Sequence, residues 1–204
     1  METDSPLLTR PDDTLDRACQ LLFTHGAPLA VPRLAASLGH EVGVVDETVE
    51  RFEKLGRIRR DSDGRIVASA GVSVVPADYE LRVGSRLRWA WCAKTGLGVL
   101  GALAAGGTLR TGDLVVEFDG GRPLPSPHAV LWPSTRFQRS CQSAAGELCA
   151  TFTLFVDARA AWGWARANDL DAEVITVEEA TGRTVDRYRH SLGLPATRDG
   201  LLGQ

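Results

Sequence analysis

The run Gly96-Leu97-Gly98-Val99-Leu100-Gly101-Ala102-Leu103-Ala104-Ala105-Gly106-Gly107 constrains this chain more than any other stretch. Its 12 residues are all Gly, Ala, Leu or Val. A membrane-spanning helix takes ~20 apolar residues, so the run is too short to cross a bilayer. It reads instead as a helix, or tight helical packing, set against another element of the core, with its glycines lowering intrinsic helix propensity. At 204 residues, 44% apolar and 24% charged, the chain has the composition of a globular protein and the length to bury a core without staples.

The net charge of −3 draws the molecule as a whole neither to nucleic acid nor to an anionic membrane. Met1-Glu2-Thr3-Asp4-Ser5-Pro6 is acidic and has no apolar core of a secretory signal. The expected location is the cytoplasm. There the four cysteines, at 19, 92, 141 and 149, stay thiols. No Cys-x-x-Cys pair occurs, which excludes a zinc ribbon or a thioredoxin motif. Each cysteine by itself reads first as a small buried hydrophobe, and Cys19 lies on the apolar face of a first helix with Leu15, Ala18 and Leu22.

Read in order, residues 1–13 form a flexible tail and 14–76 a winged-helix-like unit. In that unit a helix over 15–24 is followed by a short helix from Val31 that stops at Gly39. A further helix, capped by Asp46, carries Val49, Phe52 and Leu55. Arg57-Ile58-Arg59-Arg60 and Arg65-Ile66-Val67-Ala68 then flank Asp61-Ser62-Asp63-Gly64, a hairpin with an Asp-Gly turn. Such units often bind DNA. Here the reading helix carries Asp46, Glu47, Glu50 and Glu53 against Arg51 and Lys54, which repels phosphate and argues for a protein-packing module.

Residues 77–194 form a larger domain with a mixed or antiparallel sheet and flanking helices, and 195–204 a polar tail. The fold class is α+β. Strands are expected over 79–83, within 107–121, over 130–133 and over 174–177, with a polar loop over 134–147. Leu148 to Val156 reads as a strand whose alternation puts Cys149, Thr151, Thr153 and Phe155 on one face. Asp157 caps a helix to Asn168 with Trp162 and Ala165 inward, and a last helix over 178–192 breaks at Gly182 with Val185 and Tyr188 inward. Trp89, Trp91, Trp132 and Trp162 read as core, one or two of them walling an apolar pocket. His128, in a proline-rich loop, reads as a surface residue.

The chemistry centres on Arg88-Trp89-Ala90-Trp91-Cys92-Ala93-Lys94-Thr95. The segment Leu87-Arg88-Trp89-Ala90-Trp91-Cys92-Ala93, the small-residue helix, the Thr111-Gly112 turn, the Cys149 segment ending in Phe155, Ala161-Trp162, Val174-Ile175-Thr176-Val177-Glu178-Glu179-Ala180 and Arg187-Tyr188-Arg189-His190 together resemble the organomercurial (alkylmercury) lyases. The resemblance covers residues 14–192. It implies that two thiolates, Cys92 and Cys149, hold mercury, a soft cation that prefers sulfur. It also implies that the carbon–mercury bond is cleaved by protonolysis, with a carboxylate three residues after the first cysteine moving the proton. That position here is Thr95, whose hydroxyl shares a helix face with Cys92 but does not shuttle protons as a carboxylate does.

Cys141 is a third candidate sulfur, and Lys94 either lowers a thiol pKa or is an ordinary solvated lysine. The expected ligand is a small organometal or a soft metal, Hg(II) as substrate and product or Cu(I), with no organic cofactor. Cellular thiols or a metal-accepting protein would take the metal onward. The alternatives are a non-catalytic Hg(II)/Cu(I)-binding protein on the same fold and a different cysteine-dependent biosynthetic reaction.

Overall fold

The computed structural model describes residues 13–195. The two expected tails lie outside the described residues, apart from Asp13 and Pro195. Three helices open the chain: α1 (Asp13–His25), α2 (Val31–Leu38) and α3 (Val42–Lys54). Leu15, Ala18 and Leu22 of α1 pack with Leu34, Val45, Val49 and Phe52 into one buried cluster. Gly39 ends α2 in the left-handed conformation, with its amide closing onto the last turn of the helix. Asp46 does not cap α3. The helix begins a turn earlier, at Val42, with Glu41 in the cap position. Asp46 instead pairs with Arg60 at 3.1 Å, and Glu53 joins the same guanidinium at 2.8 Å. Two of the acidic side chains on α3 therefore hold the hairpin strand β1 (Ile58–Arg60).

The hairpin continues through β2 (Ile66–Ser69) into β3 (Val72–Ser73), β4 (Tyr79–Val83) and β5 (Arg86–Ala90). Helix α4 (Ala93–Leu103) follows, then β6 (Gly107–Thr111), β7 (Leu114–Asp119) and β8 (Arg122–Pro123). These eight strands form one antiparallel sheet in the order β1-β2-β3-β5-β4-β6-β7-β8. The sheet is continuous across residues 76–77, and the larger apolar cluster takes in Cys19, Phe23 and Val72 from the N-terminal side of that point.

The first eight residues of the glycine-rich run, 96–103, lie in α4 and Gly107 opens β6; tertiary packing accounts for the composition of the helical part. A methyl group at Gly98 would meet the Tyr188 ring, and one at Gly101 would lie 2.6 Å from Thr181 Cγ2. Helices can approach this closely only over hydrogen atoms, so the loss in helix propensity is offset by burial. No helix among the described residues is long and apolar enough to cross a membrane.

A second antiparallel sheet, in the order β10-β9-β11, joins β9 (Ala129–Pro133), β10 (Leu154–Phe155) and β11 (Ala172–Thr176). Between β9 and β10 the chain departs from expectation. Residues 135–140 form α5 (Thr135–Ser140), capped by the Ser134 hydroxyl, which accepts from Phe137 N at 3.2 Å. A π-helical turn (Ala144–Leu148) then runs into α6 (Cys149–Thr151). Cys149 is thus helical, and only Leu154–Phe155 of the expected strand pairs with a neighbour. The alternation of apolar residues is real, but β9 has partners for two residues only on that side.

Asp157 caps α7 (Ala158–Ala167) as expected, its carboxylate accepting from Ala160 N at 2.7 Å. The inward face is Ala161 and Ala165, and Trp162 is 46% exposed. One residue past Ala161, Trp162 is turned by roughly 100° from the buried stripe. The last helical segment is two helices, α8 (Val177–Gly182) and α9 (Val185–Ser191), with Tyr188 buried against α4 and Val185 partly buried.

Candidate metal-binding and catalytic site

Cys92 lies where β5 gives way to α4. It occupies the position before the first residue of the helix, in an extended conformation, and is 1% exposed. Trp91 N donates to Gly71 O at 2.9 Å, and Ala93 N donates to Phe152 O at 3.0 Å. The second bond ties the Cys149 segment to the start of α4, since Phe152 N in turn donates to Cys149 O at 3.1 Å. From the other side, Ala144 N and Ala145 N donate to Leu55 O and Gly56 O at 3.0 and 3.1 Å, fastening the π turn to the end of α3. Two cysteines 57 positions apart are thereby brought into hydrogen-bonding contact.

The cavity they share has a volume of about 210 Å³ and is walled by Trp91, Leu148 and Phe152 together with Arg57, Lys94, Thr95, Arg187 and Tyr188. Among the described residues no Asp or Glu lines it. The hydrogen bond from the Cys149 thiol, aided by the Thr95 hydroxyl, brings Cys92 down to about 7 against the resistance of burial. The same hydrogen bond, with burial, pushes Cys149 well above the ordinary thiol range. The first proton to leave the pair therefore comes from Cys92, and the second stays on Cys149.

Thr95 shares the helix face with Cys92 as its spacing requires, with Cys92 Sγ and Thr95 Oγ1 3.4 Å apart. Tyr188 donates to Thr95 Oγ1 at 2.8 Å and also reaches Ala70 O at 3.1 Å. Gly71, at φ +88°, presses its backbone against Thr95, and a side chain there would strike the Thr95 hydroxyl. The hydroxyl thus sits in a closed frame of Cys92, Tyr188 and Gly71. Burial holds the Tyr188 phenol well above its usual range, so it stays a donor.

Cys141 packs in the same apolar cluster as Cys92, Leu148 and Phe152 but does not line the cavity, and its thiol donates to Phe137 O at 3.4 Å. No group of three His, Cys, Asp or Glu side chains placed to hold a metal occurs among the described residues. Cys19 is fully buried in the large core and pushed up to about 12 by burial. His128 is half-buried and bonds Val156 O at 3.1 Å.

Lys94 is not a solvated surface lysine. Its Nζ lies over the rings of Phe152 at 4.6 Å and Trp132 at 5.8 Å, in the cavity wall, where burial lowers its pKa. Trp132 itself stands edge-on to Phe152 at 4.9 Å between centroids. Trp91 lines the cavity, and its buried Nε1–H has no hydrogen-bond partner. Sequence reasoning passed over Tyr188 and Arg187 as site residues. Their signal is faint, because only the packing of α9 on α4 brings Tyr188 to Thr95 and Arg187 to the cavity wall.

No family model matches this sequence, and no curated protein matches it either. In three dimensions the chain is similar to a solved structure described as the mercury-bound form of MerB2, with a TM-score of 0.76 and 22% sequence identity over 91% of this chain and 94% of that one. At that identity the likeness is one of fold, an α+β architecture shared over the covered part of both chains.

Proposed function

We propose that this protein captures an organomercurial between Cys92 and Cys149 and cleaves the carbon–mercury bond by protonolysis, slowly, because Thr95 stands where the lyases it resembles have an aspartate. The observation that carries this reading is the convergence of Cys92 and Cys149 on one cavity, with the Thr95 hydroxyl 3.4 Å from Cys92 Sγ. Cys92, shifted down, is the readier nucleophile, and Cys149, shifted up, keeps the proton that the departing carbon needs. The Cys92 thiolate attacks R–Hg–X, a sulfur–mercury bond forms and X⁻ leaves. The proton of Cys149 passes to the carbon, the carbon–mercury bond breaks and R–H departs. The Cys149 sulfur then takes the vacated place on mercury, so that R–Hg–X, one thiolate and one thiol become R–H, X⁻ and a neutral Hg(II) dithiolate. Cellular thiols or a metal-accepting protein would remove the Hg(II).

Thr95 limits the second step. A carboxylate between thiol and carbon accepts and returns a proton at neutral pH, and a hydroxyl does not. Incubation with phenylmercury and excess thiol is expected to release benzene above the thiol-only control, and Cys92→Ser to return the rate to that control. No benzene above the control refutes turnover.

A second reading, a non-catalytic Hg(II) or Cu(I) binder on the same thiol pair, is favoured by the cavity wall without Asp or Glu among the described residues. Metal that survives gel filtration, is lost in Cys92→Ser and is accompanied by no benzene would favour it. Cys141, as a third sulfur, would need to turn from Phe137 O toward the cavity. Metal retention unchanged in Cys141→Ala would exclude that role.

A further inference from the structure

Three cationic side chains line the cavity, and they differ in how they are engaged. Arg187 is paired with Asp16 at 2.9 Å, and Arg57 lies over the Phe52 ring at 5.5 Å. For Lys94 the contacts of Nζ are the faces of Phe152 and Trp132, and no ion pair of Lys94 occurs among the described residues. Ring faces attract an ammonium without taking its hydrogen bonds, so its N–H donors remain available to a ligand.

Lys94 Nζ thus stands in the cavity wall against ring faces. An ammonium in such an apolar wall is costly unless a ligand in the cavity brings it a negative charge. A second feature of the same wall points the same way. Trp91, part of that wall, has a buried Nε1–H without a hydrogen-bond partner, a donor left unsatisfied.

We infer that the cavity selects organomercurials whose organic group carries a carboxylate, and that Lys94 is the residue that sets this preference. The carboxylate would sit against the ammonium and within reach of the Trp91 indole, with Leu148 and Phe152 flanking the hydrocarbon. This inference rests on the proposed thiol-pair capture and adds the substrate class to it.

Stopped-flow quenching of tryptophan fluorescence gives the rate of adduct formation for p-chloromercuribenzoate and for phenylmercuric chloride. Each rate is divided by that of the same reagent with mercaptoethanol to remove its intrinsic reactivity. The normalised ratio in the unaltered protein is expected to favour the benzoate by about tenfold, the scale of one charge-assisted hydrogen bond. Lys94→Met, unbranched and close in length, brings the ratio near one while phenylmercury still reacts, which also shows that the variant is folded. Lys94→Arg keeps the preference. A ratio near one in the unaltered protein, or a ratio unchanged in Lys94→Met, overturns the inference and leaves thiol-pair capture standing. If neither reagent reacts in a Cys92-dependent manner, both fall together.

Discussion

Cys92 and Cys149 reach one cavity from seats built in different ways. Cys92 is held by the centre of the molecule. Strand β5 lies between β3 and β4 in the long sheet, and the first turns of α4 are buried almost completely. Cys149 is held by a short segment of irregular helix, half-buried, anchored by two backbone hydrogen bonds to the end of α3, one to the start of α4 and the packing of Leu148 and Phe152. The first seat depends on packing spread over many residues and yields only to large disturbances. The second depends on a handful of bonds and can be loosened one at a time. The N-terminal helices therefore act on the site mainly through Cys149, by way of Leu55, Gly56 and the neighbouring Arg57.

The largest expected effect comes from adding a carboxylate beside the firm seat. Thr95→Asp should raise benzene release from phenylmercury by about 10²-fold or more, the usual scale of a positioned general acid–base. An unchanged rate would mean that proton delivery does not limit turnover.

The two seats are coupled through their shared hydrogen bond, which Cys149→Ala removes. The Cys92 pKa then moves from about 7 toward the ordinary 9.0. A higher pKa means less thiolate below pH 9, so the alkylation profile shifts to higher pH and the rate at pH 7 falls about fiftyfold. Iodoacetamide labelling followed by mass spectrometry across pH 5–10 measures the shift. A profile that stays in place would assign the low pKa of Cys92 to Thr95 and Lys94 alone.

Within the firm seat, Gly98→Ala drives a methyl group into the Tyr188 ring and should cost about 1–3 kcal/mol in denaturant unfolding, as overpacking does. In the looser seat, Ser143→Ala deletes the hydroxyl that accepts from Gly146 N at 3.1 Å. The loss is on the scale of a helix cap, about 1 kcal/mol. Its mark should be faster hydrogen exchange over the π turn and α6, with α4 unaffected. Equal acceleration in both regions would contradict the contrast between the seats.

Much of the frame was legible in local sequence because local chemistry decides it. The hairpin around Asp61-Ser62-Asp63-Gly64, the stop at Gly39 and the cap at Asp157 each follow from a few neighbouring residues, and each is present. Where sequence reasoning failed, the deciding partner was remote. Asp46 looked like a cap but pairs with Arg60. The strand expected at Leu148–Val156 had an alternating pattern but only a two-residue partner in β9. Trp162 was placed inward when the small residues Ala161 and Ala165 fill the space under α7.

The site divides along the same line. By itself the sequence determined that a cysteine would stand at the head of a small-residue helix with Thr95 on the same face, because a spacing of three is a property of any helix. Tertiary structure alone decided that Cys149 would hydrogen-bond to it, that Lys94 would lie on ring faces instead of in water, and that Tyr188 would hold the Thr95 hydroxyl. Contacts across 57 or 93 positions depend on how α4, α6 and α9 dock, and that docking reflects the fit of whole surfaces, with Gly98 and Gly101 as the clearest trace left in the chain.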